Sequence, residues 1–170
     1  GRDYTFLHPE ILDEKCSVEG DTLRLNNPVN FETYKVLIIP GHKTIYWSNL
    51  KKVKAFYDNG GKVIATGTLP CKSAEFGHDE DVVKTIETLF PGARELSLDH
   101  KQPIPPVGSR NARGGMAFFL KKPTEQTLRD ALDRMLDVYD LEFEVGKELR
   151  YIHKIHDLRH IYFLANLSKT

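Results

Sequence analysis

The stretch KVIATGTLPCKS, residues 62–73, carries an apolar strand into a glycine and then into Cys71, one of two cysteines in the 170-residue chain. A thiol at the carboxyl end of a strand suggests a nucleophile that opens amides or esters. Such a nucleophile stands on a sharp strand-to-helix elbow, G-x-C-x-G, and is activated by a histidine that an acid orients. Here Gly67-Thr68-Leu69 occupies the place of G-x-C, and Cys71 arrives four residues after the glycine, behind Pro70. No glycine follows two residues later. Short His-acid pairs occur at His78, before Asp79 and Glu80, and at His156, before Asp157, as chance alone allows with seven histidines and 24 acids. Cys71 therefore has two readings: a thiol hydrolase nucleophile, or a loop thiol that reacts only where its surroundings depress its pKa.

Other residues invite chemistry less directly. Gly41-His42-Lys43-Thr44 follows a strand and offers an anion a loop, but it matches neither G-x-x-x-x-G-K-[ST] nor G-x-G-x-x-G. Its plainer reading is a turn glycine with solvated neighbours leading into a helix. His153, His156 and His160 suggest a metal, yet positions 153 and 156 on one strand point to opposite faces. Tyr46, Trp47, Phe56 and Tyr57 are candidates to stack on a sugar, although helical spacing assigns most of them to a core. Asn166-Leu167-Ser168 matches a glycosylation sequon, which matters only in a eukaryotic secretory chain.

Composition narrows the classes. Lys plus Arg (24) equal Asp plus Glu (24), so no positive field collects phosphates, and nucleic acid and anionic membrane are not expected partners. No apolar run approaches the ~20 residues of a membrane span, and GRDYTFLHPE lacks the zones of a signal peptide. Cys16 and Cys71 form neither a disulfide framework nor a CxxC metal pair. No cofactor and no metal are expected. The abrupt start and the stop at NLSKT suggest a piece of a longer protein.

The elements that must position these residues read as follows. PEILDEKC (9–16) begins with Pro9 and predicts a short helix, and TLRLN (22–26) alternates like a half-exposed strand. KVLIIP (35–40) and KVIAT (62–66) are apolar runs, read as strands buried on both faces. Between them lies a helix over 47–59, with Trp47, Leu50, Val53 and Tyr57 on its buried stripe and Gly60-Gly61 ending it. This is a βαβ unit with parallel strands. DEDVVKTIETLF (79–90) predicts a helix with acids in its first turn, and 98–114 a long irregular connection. GMAFFL (115–120) predicts a strand, followed by a helix from Thr124 to about Asp137 with Leu128, Ala131, Leu132 and Met135 buried. LEFEV (141–145), RYIHKIH (150–156) and HIYFLANL (160–167) predict antiparallel hairpins.

In such sheets ligands gather at the carboxyl ends of the strands. His42, Lys43, Trp47, Thr68 and Cys71 are therefore the candidate binding residues.

The segment YKVLIIPGHKTIYWSNLKKVKAFYDNGGKVIATGTLP (34–70) resembles a pattern found in amidotransferase-like domains of large bacterial glycoside hydrolases. The pattern is Tyr-Lys, an apolar strand ending in Pro, a helix ending in Gly-Gly or Ala-Gly, and a second strand. Such domains include the accessory domain of family 42 β-galactosidases and the corresponding region of family 106 α-L-rhamnosidase-like proteins. YIHKIHDLRHIYFLANLS (151–168) looks like the H-x-x-x-D-G-x-x-Y-F-x-A-N-x-S hairpin that follows the domain in the latter group, with Leu158 where glycine usually stands. The resemblance covers about a third of the chain. It implies that the hydrolytic carboxylates lie on a separate catalytic barrel, so no catalytic residue is assigned here. Glycoside hydrolysis needs two carboxylates roughly 5–10 Å apart in a sugar-sized cleft, whereas the acids here read as solvating and capping groups.

The expected fold is α/β: a mainly parallel sheet flanked by helices, flavodoxin-like or class I glutamine amidotransferase-like, with a C-terminal antiparallel extension. Residues 1–146 form the α/β domain, and 147–170 a hairpin that extends the sheet or begins the next domain. The expected function is that of a non-catalytic accessory domain of a carbohydrate-active enzyme. Its partners would be the catalytic barrel and β-sandwich of the same parent chain, or a second copy in a homo-oligomer. The parent is expected in the periplasm or outside a bacterium. A Cys71 thiol hydrolase and a sugar- or small-molecule-binding module are the rival readings.

Overall fold

The structure, a computed structural model, describes residues 4–27, 32–95, 107–137, 141, 149–156 and 159–167. At its centre β4 (Val36–Ile39), β6 (Lys62–Thr66) and β9 (Met116–Leu120) run parallel, and β8 (Val107–Arg110) pairs antiparallel to β9, giving the order β4-β6-β9-β8. The βαβ unit is present: α2 (Trp47–Asp58) connects β4 to β6, whose register sets Val36 against Lys62 and Ile39 against Ala65. The helix stops at Gly60, whose φ of 103° suits glycine, and Gly61 lies against the Phe56 ring.

The two faces of this sheet bury different partners. On one, Ile39, Val63, Ala65, Ala117 and Phe119 pack with Leu50, Val53 and Phe56 of α2 and with Val82, Ile86 and Leu89 of α3 (Asp79–Leu89). On the other, Ile64, Met116 and Leu120 meet Ala131 and Met135 of α4 (Glu125–Met135). Leu128 and Leu132, expected in the buried stripe of α4, are only half-buried.

Three expectations are corrected. KVLIIP is not buried on both faces: β4 is a sheet edge among the described residues, and Ile38 remains 43% exposed on the face that α4 only partly covers. The stretch 98–114 is not wholly irregular. Residues 107–110 form β8, turned back onto β9 by Asn111, whose Oδ1 accepts from Arg113 N (2.9 Å) and Gly115 N (2.8 Å). Cys16 is not helical: α1 (Pro9–Lys15) ends before it, and β1 (Cys16–Glu19) pairs with β2 (Thr22–Leu25), which pairs with β3 (Glu32–Tyr34). Leu12, Cys16 and Leu23 join the same core as α2 and α3.

At the C-terminal end, β10 (Leu149–His156) and β11 (Arg159–Asn166) form a separate two-stranded antiparallel sheet rather than lengthening the central one. Lys154 reaches Glu32 on β3 and ties this hairpin to the N-terminal sheet. The strand expected over 141–145 lies outside the described residues apart from Leu141, as do Leu158, Asp157 and Ser168.

Candidate functional site

The loops after β4 and β6 meet backbone to backbone. A β-carbon on Gly41 would lie 2.8 Å from the Thr66 carbonyl oxygen and 2.9 Å from Thr68 N, so only glycine fits. His42 N donates to Thr68 O (3.2 Å), and Gly67, at φ 67°, donates to Leu120 O (2.9 Å). The amides that a phosphate loop would present are thus turned toward the neighbouring loop. The side chains of His42, Lys43 and Thr68 stand exposed.

Beyond these loops the chain forms one more short ladder. β5 (Thr44–Ile45) runs parallel to β7 (Lys72–Ser73). Cys71 N and Lys72 N both donate to Lys43 O (2.9 and 3.1 Å), and Ala74 N donates to Ile45 O (2.9 Å). Cys71 therefore enters a strand pairing, where a nucleophile elbow would have turned into a helix. Its half-buried thiol borders an open depression of about 310 Å³, lined by Lys72, Asp79, Glu80, Val83 and Lys84. No histidine is among them.

Asp79, at the start of α3, is fully engaged. One oxygen accepts from Lys72 Nζ (2.7 Å) and the other from Ser73 N (2.8 Å). The Lys72 hydrogen bond, then the Ser73 amide, hold its carboxyl below the usual range, and Asp79 in turn raises Lys72. A carboxylate so occupied serves as a loop brace rather than a proton acceptor.

Trp47 takes a different setting. It opens α2, half-buried, with the His78 ring stacked on it at 5.7 Å and 21° and Lys51 Nζ 5.8 Å from its centroid. The His-acid pair that forms is His78 Nδ1 with Asp81 Oδ2 at 2.8 Å, one helical turn on, rather than with adjacent Asp79 or Glu80. It orients the imidazole against the indole, and neither residue lines the depression beside Cys71. The N-terminus of α2 has no cap from its own N-cap, Tyr46; instead Glu75 accepts from Ser48 N (2.9 Å) across the loops.

These bonds leave one side chain conspicuous: Phe76, between braced Glu75 and Gly77 at φ 83°, is fully exposed, and Tyr46 nearby in the same loop system is 48% exposed. Phe56 and Tyr57, by contrast, are core. Neither Phe76 nor the Glu75 cap was foreseen from sequence. An aromatic beside glycine within the polar run AEFGHDE was the available signal for Phe76. The cap spans 27 residues and had none.

The structure thus joins His42 to Thr68 and Lys43 to Cys71 through their backbones and sets Trp47 against His78. Among the described residues, no group of three or more His, Cys, Asp or Glu side chains converges to hold a metal. What the edge can do is present a braced aromatic surface. No family model matches the chain, and no curated protein or solved structure matches it.

Proposed function

We propose that this chain is a non-catalytic accessory domain of a larger carbohydrate-active enzyme, a glycoside hydrolase of the α-L-rhamnosidase-like kind, with a flavodoxin-like core. The observation that carries the reading is the route of the chain after β6. Gly67-Thr68-Leu69 fills the elbow position, and Cys71 is committed to the β5–β7 pairing. The strand end where amidotransferase-like domains keep their nucleophile is closed by main chain. Beyond β7 stands Phe76, a fully exposed aromatic of the type that anchors contacts between proteins. The partner in this reading is the catalytic barrel or β-sandwich of the parent chain, which supplies the paired carboxylates.

The test is turnover by the isolated 170-residue chain on aryl α-L-rhamnosides, glutamine and aryl esters. The reading requires none of these to be hydrolysed above background. Esterase or glutaminase turnover that disappears in Cys71→Ser establishes the thiol hydrolase instead.

Exposed Tyr46 and Phe76 also favour a second reading, a sugar-binding edge, since aromatic faces take up the apolar faces of sugars. Glycan-array binding that is lost in both Phe76→Ala and His42→Ala supports it; a flat array leaves the docking role standing.

A further inference from the structure

The tail histidines divide in a way that sequence spacing did not foresee. The register sets His153 opposite Tyr162 and His160 opposite Ile155, so His153 and His160 lie on the same face of the hairpin, on adjacent strands. Their rings meet: His153 Nε2 is 2.8 Å from His160 Nδ1, with centroids 4.9 Å apart and planes at 18°. Tyr162 also stacks on His153, with centroids 4.3 Å apart and planes at 6°. His160 is exposed, and the pair lies at the surface of the hairpin.

We propose that His153 and His160 form a two-imidazole chelate for a borderline divalent transition ion such as Cu²⁺, Ni²⁺ or Zn²⁺. Zinc takes imidazole nitrogen at about 2.0–2.1 Å, so two ligands on one ion stand roughly 3 Å apart, close to the separation already present. To bind, the two rings turn so that their facing nitrogens point at a common centre, and the ion replaces the single proton that the two nitrogens now share. Each imidazole then carries its proton on the remote nitrogen. For two neutral imidazoles this rearrangement releases no net proton. The two donors that the hairpin brings together are both imidazole nitrogens. That selects transition ions over Ca²⁺ and Mg²⁺, which require oxygen ligands. Water fills the remaining positions. Because the ligands come from both β10 and β11, the ion also crosslinks the hairpin.

The test is calorimetric titration of the 170-residue chain with NiCl₂ and ZnCl₂ at neutral pH, with CuCl₂ followed by its electron paramagnetic resonance spectrum. Wild type is expected to bind one equivalent with nitrogen hyperfine coupling. His153→Ala and His160→Ala each weaken binding by roughly tenfold or more, since removing either arm destroys the chelate. His42→Ala and His78→Ala leave it unchanged. Both ligand positions are at the surface, and circular dichroism confirms that the variants fold. Three outcomes overturn the proposal: no binding by wild type at millimolar ion, binding that survives either ligand substitution, or binding that is lost in His42→Ala or His78→Ala.

Discussion

At the residue scale, the two cysteines differ by environment. Cys16 is buried, and that burial raises its pKa against the lowering effect of Lys52. Cys71 is half-buried at the open depression. Alkylation followed by mass spectrometry is expected to label Cys71 in the native protein and Cys16 only after denaturant is added. Equal labelling rates would contradict the packing described. Lys52 carries the other residue-scale prediction. Its ammonium donates to the carbonyls of Leu12 (2.7 Å), Asp13 (2.6 Å) and Cys16 (2.8 Å), closing the C-terminus of α1 and joining it to α2. Lys52→Met leaves those acceptors without their charged donor and is expected to cost about 1.5–3 kcal/mol in urea unfolding. Nothing in the local spacing marks Lys52, because its three acceptors lie on an element whose docking the spacing does not encode.

At the element scale, what was legible followed from local periodicity. The apolar runs at 36–39, 62–66 and 116–120 became the parallel strands, and the stripes of α2, α3 and α4 face the core. What was missed depends on neighbours. CSVE and ETY are short and mixed, and become strands because β2 pairs with both. Residues 107–110 were hidden behind prolines, although Asn-Ala-Arg-Gly-Gly (111–115) is a turn signal before an apolar run. Exposed Ile38 reflects the edge position of β4, which a run of apolar residues does not reveal. Of the candidate site, the adjacency of the two loops was legible in the parallel βαβ unit, and their backbone contacts were not. Gly41 read as a turn glycine, with an anion loop as the alternative, because its true constraint, the Thr66 carbonyl, lies on another strand. Two substitutions test these elements. Thr124→Ala removes the capping box of α4, in which Thr124 and Thr127 serve each other's amides, and is expected to cost about 1 kcal/mol. Gly115→Ala sets a β-carbon 2.1 Å from the Tyr57 carbonyl oxygen, a backbone atom that cannot swing away, and is expected to destabilise by more than about 1 kcal/mol.

At the scale of the whole molecule, Glu32 links parts distant in sequence. Its carboxylate takes Lys154 from the hairpin, Tyr34 Oη (2.5 Å) from its own strand and Thr5 Oγ1 (3.4 Å) from the N-terminal segment. Burial pushes its pKa up, but the hydrogen bonds from Lys154 and Tyr34, the Lys154 charge and Thr5 together bring it below the ordinary 4.5. A carboxyl lowered in the folded state adds stability that is complete above the ordinary value and is lost as pH falls through the folded one. Wild type is therefore expected to lose stability below about pH 4.5 more steeply than Glu32→Gln, as read by unfolding midpoints across pH. Parallel pH profiles would mean that the Glu32 contacts carry no linkage.

The proposal that the molecule supports chemistry located elsewhere is tested most directly in the longer polypeptide that the proposal requires. The measurement is kcat/KM for aryl α-L-rhamnoside hydrolysis in wild type, Cys71→Ser and His42→Ala. An accessory role predicts values within about twofold of one another, since neither residue would touch the reacting atoms. A loss of about a hundredfold or more in either variant, the scale of a missing nucleophile or general base, would contradict it.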